Sequence, residues 1–321
     1  YFGDSITTNA PTVSWSNHNF IGWSPSNSDT TTILTNETVT TTATYYAIWT
    51  NQIIVGGGSN ETTTEATSTI RITAFNSNGF SIGSGLGVNA STETFVGWQW
   101  KAGGTPAVTN TSGSITSTVS ANTTAGFSVV TYTGNGTNGA TVGHGLGVVP
   151  AMVIEKQRST TGDWMVKHKS MASGNNMFLD TTNAQSAPTV NGYIADLTSS
   201  TTFGLTRGSS SGLNVNVLGT TYVAYCFAEI AGFSKFGSYT GNGSADGPFI
   251  YLGFRPKFVM VKLTSAATDG WFMYDTSRST YNVTDWILQA NTSAADAQGS
   301  TVIDILSNGF KARSSFSGSN S

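Results

Sequence analysis

Residues 126–147 read GFSVVTYTGNGTNGATVGHGLG, and residues 232–253 read GFSKFGSYTGNGSADGPFIYLG. The two stretches align at an offset of 106 or 107 residues, so few insertions separate them. The match continues downstream, where Lys156 aligns with Lys262. Self-similarity at a fixed offset is the signature of an array of similar modules.

A third, partial copy lies upstream, within residues 78–103. Residues 94–102 (TFVGWQWKA) resemble residues 221–229 (TYVAYCFAE), near the end of the middle copy. Matched residues such as Phe127 and Phe233 are expected to have equivalent surroundings, in modules that each bury their own core. We divide the chain into a small β-rich module (1–51), a partial repeat with linkers (52–120), the middle copy (121–230) and the last copy (231–321).

The composition restricts the classes of function. Charged residues make up 10% of the chain, against a usual share of about 25%. A net charge of −3 argues against a nucleic-acid partner, which requires a basic face. No apolar run approaches the ~18 residues that span a bilayer. Apolar residues at 38% still allow packed cores, so the chain is not expected to be disordered.

Strand signals dominate the two full copies. Apolar runs at residues 151–156 and 257–262 are each followed by a polar stretch and a second apolar run, at residues 164–168 and 271–275. Two such runs around a short polar link predict a β-hairpin. Many short strands between turn residues predict an all-β fold of tandem antiparallel β-sandwich modules. Both faces of residues 222–227 are apolar, which fits a central strand or a strand that meets a neighbouring module.

Two low-complexity stretches are candidate linkers. Residues 51–68 contain three glycines and a Thr/Glu-rich tract. Residues 108–124 either join modules or form an extended edge strand, since Ser and Thr tolerate that geometry. Residues 294–298 have a helical composition but are too few to form a helix alone.

Trp164 and Trp271 are the candidate ligand-binding residues. They align in the two copies, and each follows a polar turn. Exposed aromatic rings stack on sugar faces, so a repeated tryptophan predicts a repeated glycan contact. The alternative is that each tryptophan anchors its hairpin in the core, because large aromatic side chains dominate core burial.

No cofactor or metal site is expected. His18, His144 and His168 have no metal-ligand spacing, and Cys226 has no second cysteine to pair with. Cys226 alternates with aromatic residues and is predicted to be a buried apolar residue. His144 is predicted to be a turn residue, and the glycines of residues 143–147 do not open a helix as a dinucleotide site requires.

No catalytic residue is assigned. Paired carboxylates could serve a glycosidase. Asp163 and Asp269 recur beside the tryptophans, whereas Asp180, Asp275 and Asp285 have no consistent counterpart. Because catalytic sites are usually unique and these residues have no organising motif, we expect a non-enzymatic protein.

The repeated block resembles a tandem module of marine bacteriophage tail-fibre-like structural proteins. The resemblance covers residues 68–321 and rests on GFSVVTYTGNG, GHGLGVVPAMVI, TTYVAYCFAEIAGFSKFGSYTGNG and DILSNGFKARSS. It implies a virion surface or tail component and carries over no catalytic residue. Residues 3–50 resemble a Listeria–Bacteroides repeat, a β-grasp-like module of bacterial surface proteins, in FIGWS and YYAIWT.

These resemblances lead to a functional expectation. The protein is expected to be a virion fibre or appendage component that mediates assembly, host-surface attachment or both. The alternatives are a bacterial extracellular adhesin or filament subunit and, more distantly, a carbohydrate-active enzyme. Expected partners are further copies of the chain, other virion proteins and host glycans. Strands missing from the partial copies would expose sheet edges and favour a trimeric or head-to-tail assembly, unless the chain is a piece of a longer one.

Overall fold

The protein is almost entirely β, as a computed structural model shows. Strands hold 38% of the residues and helices 3%, which confirms the predicted fold class. The structure describes the following residues: 18–24, 46–51, 54–55, 58–68, 70–76, 78–103, 107–187, 192–206 and 215–320.

Short strands follow one another along the whole described chain. They are β1 (His18–Ser24), β2 (Tyr46–Asn51), β3 (Ile54–Val55), β4 (Ala66–Thr67), β5 (Ile72–Asn76), β6 (Gly79–Ile82), β7 (Val108–Asn110), β8 (Ser117–Asn122), β9 (Phe127–Thr133), β10 (Ala140–Gly143), β11 (Met152–Gln157), β12 (Trp164–His168), β13 (Met177–Phe178), β14 (Tyr193–Ile194), β15 (Thr202–Thr206), β16 (Thr221–Phe227), β17 (Phe249–Tyr251), β18 (Phe258–Lys262), β19 (Trp271–Asp275), β20 (Thr284–Gln289), β21 (Ala297–Leu306) and β22 (Gly309–Ala312). Two four-residue helices, α1 (Leu86–Asn89) and α2 (Ser317–Asn320), are also present.

The chain divides into two compact units. The first comprises Tyr1–Val55 and Ala66–Phe95, and the second Gly56–Glu65 and Val96–Ser321. In the first unit β1 pairs with β2, β3 with β4 and β5 with β6, all antiparallel. The remainder of the predicted β-grasp-like module lies outside the described residues. The bounds of the four predicted modules stay a prediction.

The middle copy is a sandwich of two antiparallel sheets. One has seven strands in the order β13-β12-β11-β16-β9-β8-β7, and the other has three in the order β10-β15-β14. Their inner faces share one apolar cluster, to which Val130, Val153 and Tyr222 contribute from the large sheet and Phe203 and Leu205 from the small one. Because β8 pairs with β9 and β7 with β8, residues 108–110 form the edge strand of this sheet and residues 117–122 the strand next to it, which agrees with the strand alternative of the two predicted ones.

Strand β16 has an apolar side chain on both faces. Tyr222 and Cys226 point into the sandwich core, whereas Tyr225 and Phe227 pack in a second cluster that also contains Trp271 of the last copy. The strand lies between β11 and β9. Both parts of the prediction are confirmed, since β16 is a central strand and one of its faces meets the next module.

The last copy repeats the hairpin of the middle copy with the same register. Lys156 is the Cα partner of Trp164 in the β11–β12 ladder, and Lys262 is the partner of Trp271 in the β18–β19 ladder. The six strands of the last copy form one sheet in the order β17-β22-β21-β20-β19-β18. Strand β21 begins at Ala297, within the stretch of helical composition.

Two expectations about the copies are wrong. Phe127 is 7% exposed within β9, whereas Phe233 lies in a turn and is 60% exposed. Strand β9 pairs with β8 on one side and β16 on the other. The described part of the last copy has no strand equivalent to β8 or β16 that could pair with residues 232–239. The copies are also not independent, because both belong to the second compact unit and share one apolar cluster.

Candidate functional site

The β11–β12 hairpin presents Lys156 and Trp164 side by side on its ladder. The Lys156 ammonium donates to three backbone carbonyls, those of Gln157 at 3.0 Å, Thr63 at 3.0 Å and Thr62 at 3.3 Å. An ammonium group has three donors, so every donor has a partner. Two of those partners lie more than ninety residues upstream, and the lysine therefore holds a distant piece of chain.

That distant piece is residues 59–65, here called the strap. The Trp164 indole Nε1 donates to the Glu61 carbonyl at 3.1 Å. The Glu65 amide donates to the Arg158 carbonyl at 2.9 Å. The Arg158 guanidinium also pairs with the Glu65 carboxylate through two of its nitrogens, a geometry that strengthens an ion pair. We call Lys156, Trp164 and Arg158 the middle socket.

The last copy has a second socket, with a lysine and a tryptophan at the equivalent positions. The Lys262 ammonium donates to the Leu263 carbonyl at 2.6 Å and to the Thr182 carbonyl at 3.1 Å. The Trp271 indole donates to the Phe178 carbonyl at 2.9 Å. We call Lys262, Trp271 and Thr264 the last socket. It holds the middle copy as the middle socket holds the strap.

The segment that the last socket holds is residues 178–185, here called the back segment of the middle copy. The Gln185 amide donates to the Thr264 carbonyl at 3.0 Å, as the Glu65 amide does to that of Arg158. Thr264 follows Arg158 by 106 residues, and Gln185 follows Glu65 by 120. The lysine and amide contacts are therefore made twice in the same register, and the strap corresponds to a back segment. The tryptophan contacts differ in register, because Trp164 bonds the Glu61 carbonyl and Trp271 bonds the Phe178 carbonyl, three residues before the counterpart of Glu61.

Both sockets recognise backbone rather than side chains. Each of the hydrogen bonds from the two lysines and the two tryptophan indoles to a docked segment ends on a main-chain oxygen. Trp271 also packs with Leu179 of the back segment in an apolar cluster. The docked sequences, SNETTTE in the strap and FLDTTNAQ in the back segment, have little in common beyond two threonines. The ion pair of Glu65 with Arg158 is the side-chain contact that sets the strap apart.

Burial and nearby carboxylates act on both lysines. Burial lowers the pKa of Lys156, and the charges of Asp180 and Asp163 oppose that shift. Burial likewise lowers the pKa of Lys262, opposed by the charge of Asp269. A buried ammonium needs both a countercharge and hydrogen bonds, and each socket supplies them.

A carboxyl pair underlies the middle socket. Asp180 accepts a hydrogen bond from the Trp164 amide at 3.2 Å, and burial raises the pKa of Asp180 to about 6, with Asp163 as a hydrogen-bonded neighbour. The last socket has Asn291 in the place of Asp180, accepting from the Trp271 amide at 2.9 Å. Direct bonding of two carboxyls differs from the separation of about 5–9.5 Å used by glycosidases.

The two tryptophans predicted as ligand contacts are used inside the protein. Trp271 is 4% exposed and belongs to the cluster shared by the two copies. Trp164 is half-buried and stacks on Tyr225, with ring centroids 6.4 Å apart. The structure thus joins each tryptophan to a docking contact. Their assignment to a glycan site stays a prediction.

The comparison with protein families covers both sockets and the strap. Residues 50–321 match the model described as Domain of unknown function (DUF7483). The chain belongs to this family. No curated protein and no solved structure matches it. Within the DUF7483 match, both full copies have the docked lysine and tryptophan.

The other residues considered from sequence lie apart from the sockets. Cys226 is fully buried, which confirms the prediction of a buried residue, and burial raises its pKa to about 12. His144 is buried in the loop after β10, and burial lowers its pKa. His168 lies beside Phe236, and burial lowers its pKa to about 4. The side chain of His18 lies outside the described residues.

The remaining acidic candidates have separate surroundings. The Asp275 carboxylate accepts from the Arg278 guanidinium at 2.7 Å, in a pair next to Trp98. Asp285 is half-buried in β20. Where the structure describes side chains, no group of three or more His, Cys, Asp or Glu residues could hold a metal ion. No helix of the described chain is long and apolar enough to cross a membrane.

Sequence reasoning missed one buried acid. Glu155 is 1% exposed and faces the core of the middle copy, and neither of its carboxyl oxygens has a hydrogen bond of normal geometry. Burial raises its pKa to about 8, an effect that the hydroxyl of Tyr132 partly offsets. The repeat carries the signal, because the equivalent residue of the last copy is Val261.

Proposed function

We propose that the protein is a non-enzymatic structural component of a bacteriophage virion, in the tail fibre or another surface appendage. In this role the protein mediates assembly of the appendage, attachment to the host surface, or both. The observation that supports the proposal best is the repeated socket. Each full copy holds a segment that precedes it in the chain through a lysine and a tryptophan.

A structural role agrees with what the sockets contact. These sockets take main-chain oxygens of the same polypeptide, so their donors join parts of one chain to each other. Multiple buried donors fix the orientation of one copy on the next, because an unmade hydrogen bond in a buried site costs about 1–3 kcal/mol. A fixed orientation between modules is what a rigid appendage needs.

The sparse charge of the chain fits the same role. With 10% charged residues, the surface is carried mainly by Ser, Thr, Asn and Gly. Such a surface opposes dense packing of identical subunits less than a strongly charged one, since net charge keeps proteins apart in solution. Self-association and contacts with other virion proteins are the partners that we propose, with host glycans as a further one.

Location in the particle is the direct test. Antibodies raised against the purified chain, applied with gold label to intact particles from the source, are expected to mark the tail or a surface appendage in electron micrographs. Mass spectrometry of purified particles is expected to find the chain in a fixed ratio to the capsid subunit. Its presence instead in the wall or filament fraction of bacterial cells would overturn the proposal in favour of an adhesin. Glycan cleavage by the purified chain would overturn the non-enzymatic assignment.

A further inference from the structure

Strand β16, which lies at the centre of the large sheet of the middle copy, has no described counterpart in the last copy. Strand β16 pairs with β11 on one side and with β9 on the other. Strand β18 is the counterpart of β11 and pairs with β19, and no strand of the described chain pairs with it on its other side. The backbone groups on that side of β18 therefore form a free edge.

The hydrogen bonds of β18 show which residues present this edge. The Thr276 amide donates to the Lys257 carbonyl at 3.1 Å, so residue 257 and every second residue after it face β19. The backbone N–H and C=O groups of Phe258, Met260 and Lys262 consequently point to the free side. The three equivalent residues of β11 have partners in β16. A row of unpaired backbone groups is a template for an added strand.

The burial of β11 and β18 differs in the way that a missing neighbour predicts. All six residues of β11 are buried, whereas in β18 Val259 is buried and the other four residues are half-buried. In the middle copy, Tyr222, Ala224 and Cys226 of β16 are buried members of the core cluster. The described part of the last copy has no strand at their places, and Val261 stays half-buried at the border of its cluster.

The far side of the missing strand is nevertheless in place. The Tyr239 ring meets the Phe310 ring edge-on with centroids 6.1 Å apart, as the Tyr132 ring of β9 meets the Phe203 ring at 6.2 Å. In the middle copy the Tyr132 ring also stacks on Tyr222 of β16, with centroids 5.0 Å apart. The space between the edge of β18 and Tyr239, here called the strand gap, therefore corresponds to the place of β16.

Helix α2 borders the strand gap but takes the place of a different segment. The Asn320 side chain donates to the Ser244 carbonyl at 2.6 Å, as the Asn216 side chain donates to the Thr137 carbonyl at 2.7 Å. Asn216 precedes β16 by five residues and is compatible with it. Helix α2 is therefore the counterpart of the residues that lead into β16.

Residues 94–102 resemble β16 in sequence and also border the gap. They form no strand. The Trp98 and Trp100 rings contact the Phe258 ring, with centroids 5.4 and 5.7 Å apart, at one end of the free edge. The chain then leaves β18, and the Lys101 carbonyl accepts from the Asn122 side chain of β8 at 3.1 Å. This segment is held by the middle copy and is not the strand that the edge lacks.

We propose that the strand gap is a docking site for one extended strand of the β16 type, contributed by another module of this kind. The strand runs antiparallel to β18 in the register of the middle copy. Residues equivalent to Val223 and Tyr225 then pair with Lys262 and Met260. Main-chain bonds supply the affinity in such strand addition, and alternate side chains supply the specificity.

The inner face of the gap defines the chemistry of the docked strand. An aromatic residue in the place of Tyr222 stacks on the Tyr239 ring. Small apolar residues in the places of Ala224 and Cys226 cover Val261, as those two residues complete the core of the middle copy. The inference rests on the proposed function in one respect, since it specifies how modules of an appendage join. Its tests use the purified chain alone, so it holds or fails whichever particle carries the chain.

The first experiment adds a synthetic peptide of residues 218–229, with Cys226→Ser and a dilysine tail, to the purified chain. Hydrogen exchange of the Met260 and Lys262 amides is expected to slow about tenfold or more at saturating peptide. The Ile154 amide, which lies in a strand already paired with β16, is the internal control and is expected to be unchanged.

A second peptide tests whether the β16 pattern matters. It carries Tyr222→Asp and Ala224→Asp in the same tailed sequence and is expected to leave exchange at Met260 unchanged. No slowing with either peptide, or equal slowing with both, would overturn the proposal. Slowing that rises with protein concentration without peptide would show that the β18 edges of two chains pair with each other, and would likewise overturn it.

The last experiment alters the edge itself. Met260→Pro removes an N–H that points away from β19, so the β18–β19 ladder keeps its bonds. It is expected to weaken peptide binding about tenfold or more, whereas Met260→Ala, which loses the same side chain and keeps the N–H, is the matched control. Tyr239→Ala removes the stacking ring and is expected to weaken binding about tenfold, which tests the site even if the proline variant unfolds in urea earlier than the control. Unchanged binding in Tyr239→Ala would refute the docking.

Discussion

Asn216 and Asn135 clasp each other across the middle copy. The backbone N–H of Asn135 donates to the side-chain oxygen of Asn216 at 2.8 Å, and the Nδ2 of Asn216 donates to the side-chain oxygen of Asn135 at 3.1 Å. The last copy has the same clasp between Asn320 and Asn242, at 2.8 and 3.0 Å. The TGNG motif is therefore more than a tight turn, since its asparagine ties the turn to a distant loop.

Loss of this clasp is expected to destabilise the middle copy. Asn216 also has a backbone φ of +56°, which asparagine tolerates better than most residues. Asn216→Ala removes the side-chain bonds and adds backbone strain, so we expect the free energy of unfolding to fall by roughly 2–4 kcal/mol. Urea denaturation measures this change. Asn183→Ala, at an exposed position, is the control, and an equal effect of both variants would contradict the assignment.

The lysine of the middle socket is expected to hold the strap. Lys156→Met keeps the length of the side chain but leaves the Thr62 and Thr63 carbonyls without their donor. We expect local protection to fall by about 1–3 kcal/mol, which speeds hydrogen exchange of the Glu65 amide by roughly 10- to 100-fold. Lys257→Met, at an exposed lysine, is the matched control. Unchanged exchange at Glu65 in the Lys156 variant would show that the strap is held by other contacts.

Glu155 is expected to make the stability depend on pH. Its pKa is about 8 in the folded chain, against an ordinary value of 4.5, so above pH 4.5 the folded chain keeps a proton that the unfolded chain has lost. The free energy of unfolding must then fall as pH rises from about 4.5 to about 8, by roughly 3 kcal/mol at pH 7.

Substitution by the residue of the other copy separates this effect from the rest. Glu155→Val is expected to remove the pH-dependent loss and to stabilise the chain at pH 7, because Val261 fills the same position in the last copy. Urea denaturation of both proteins at pH 5 and pH 8 checks the prediction. If the difference between variant and parent were the same at both values, the burial of an uncharged Glu155 would be refuted.

Asp180 is also expected to lower the free energy of unfolding as pH rises, but over a lower pH range than Glu155. Its pKa rises to about 6 from 3.8, so stability falls as pH rises between those values. Asp180→Asn copies the last socket, where Asn291 keeps the hydrogen bond to the tryptophan amide. We expect a gain of roughly 1 kcal/mol at pH 7, reduced by the partial exposure of the carboxyl, and none at pH 3. Thermal unfolding at the two pH values measures it, and a loss of stability at pH 7 would contradict the prediction.

The sequence predicted the hairpins and their strands because their signal is local. Apolar runs on either side of a polar turn give both the β11–β12 and β18–β19 ladders, and the aligned Lys and Trp residues give their common register. Phe233 is different. The chain after Phe233 has Lys235 and Gly237 where Val129 and Thr131 follow Phe127, and the described part of the last copy has no neighbouring strands to pair with it. The alignment of the two phenylalanines therefore did not carry over to their surroundings.

The sockets were visible from the sequence only as a recurrence. Lys156 and Lys262 align, yet nothing in the spacing of residues indicates what an ammonium group contacts. Their partners are main-chain oxygens, which every residue possesses, so Thr62 and Thr182 carry no side-chain signature of being bound. For the same reason, the composition of residues 51–68 predicted only a linker and gave no sign that the strap docks on the middle socket.

Recognition through main-chain oxygens leaves the identity of the strap residues almost free. Substitutions at positions 61–64 are therefore expected to leave the strap docked on the middle socket, provided that they do not change its backbone conformation. A foreign four-residue sequence that replaced residues 61–64 would still be bound by Lys156 and Trp164. The strap is therefore a suitable site for displaying a short tag on the protein.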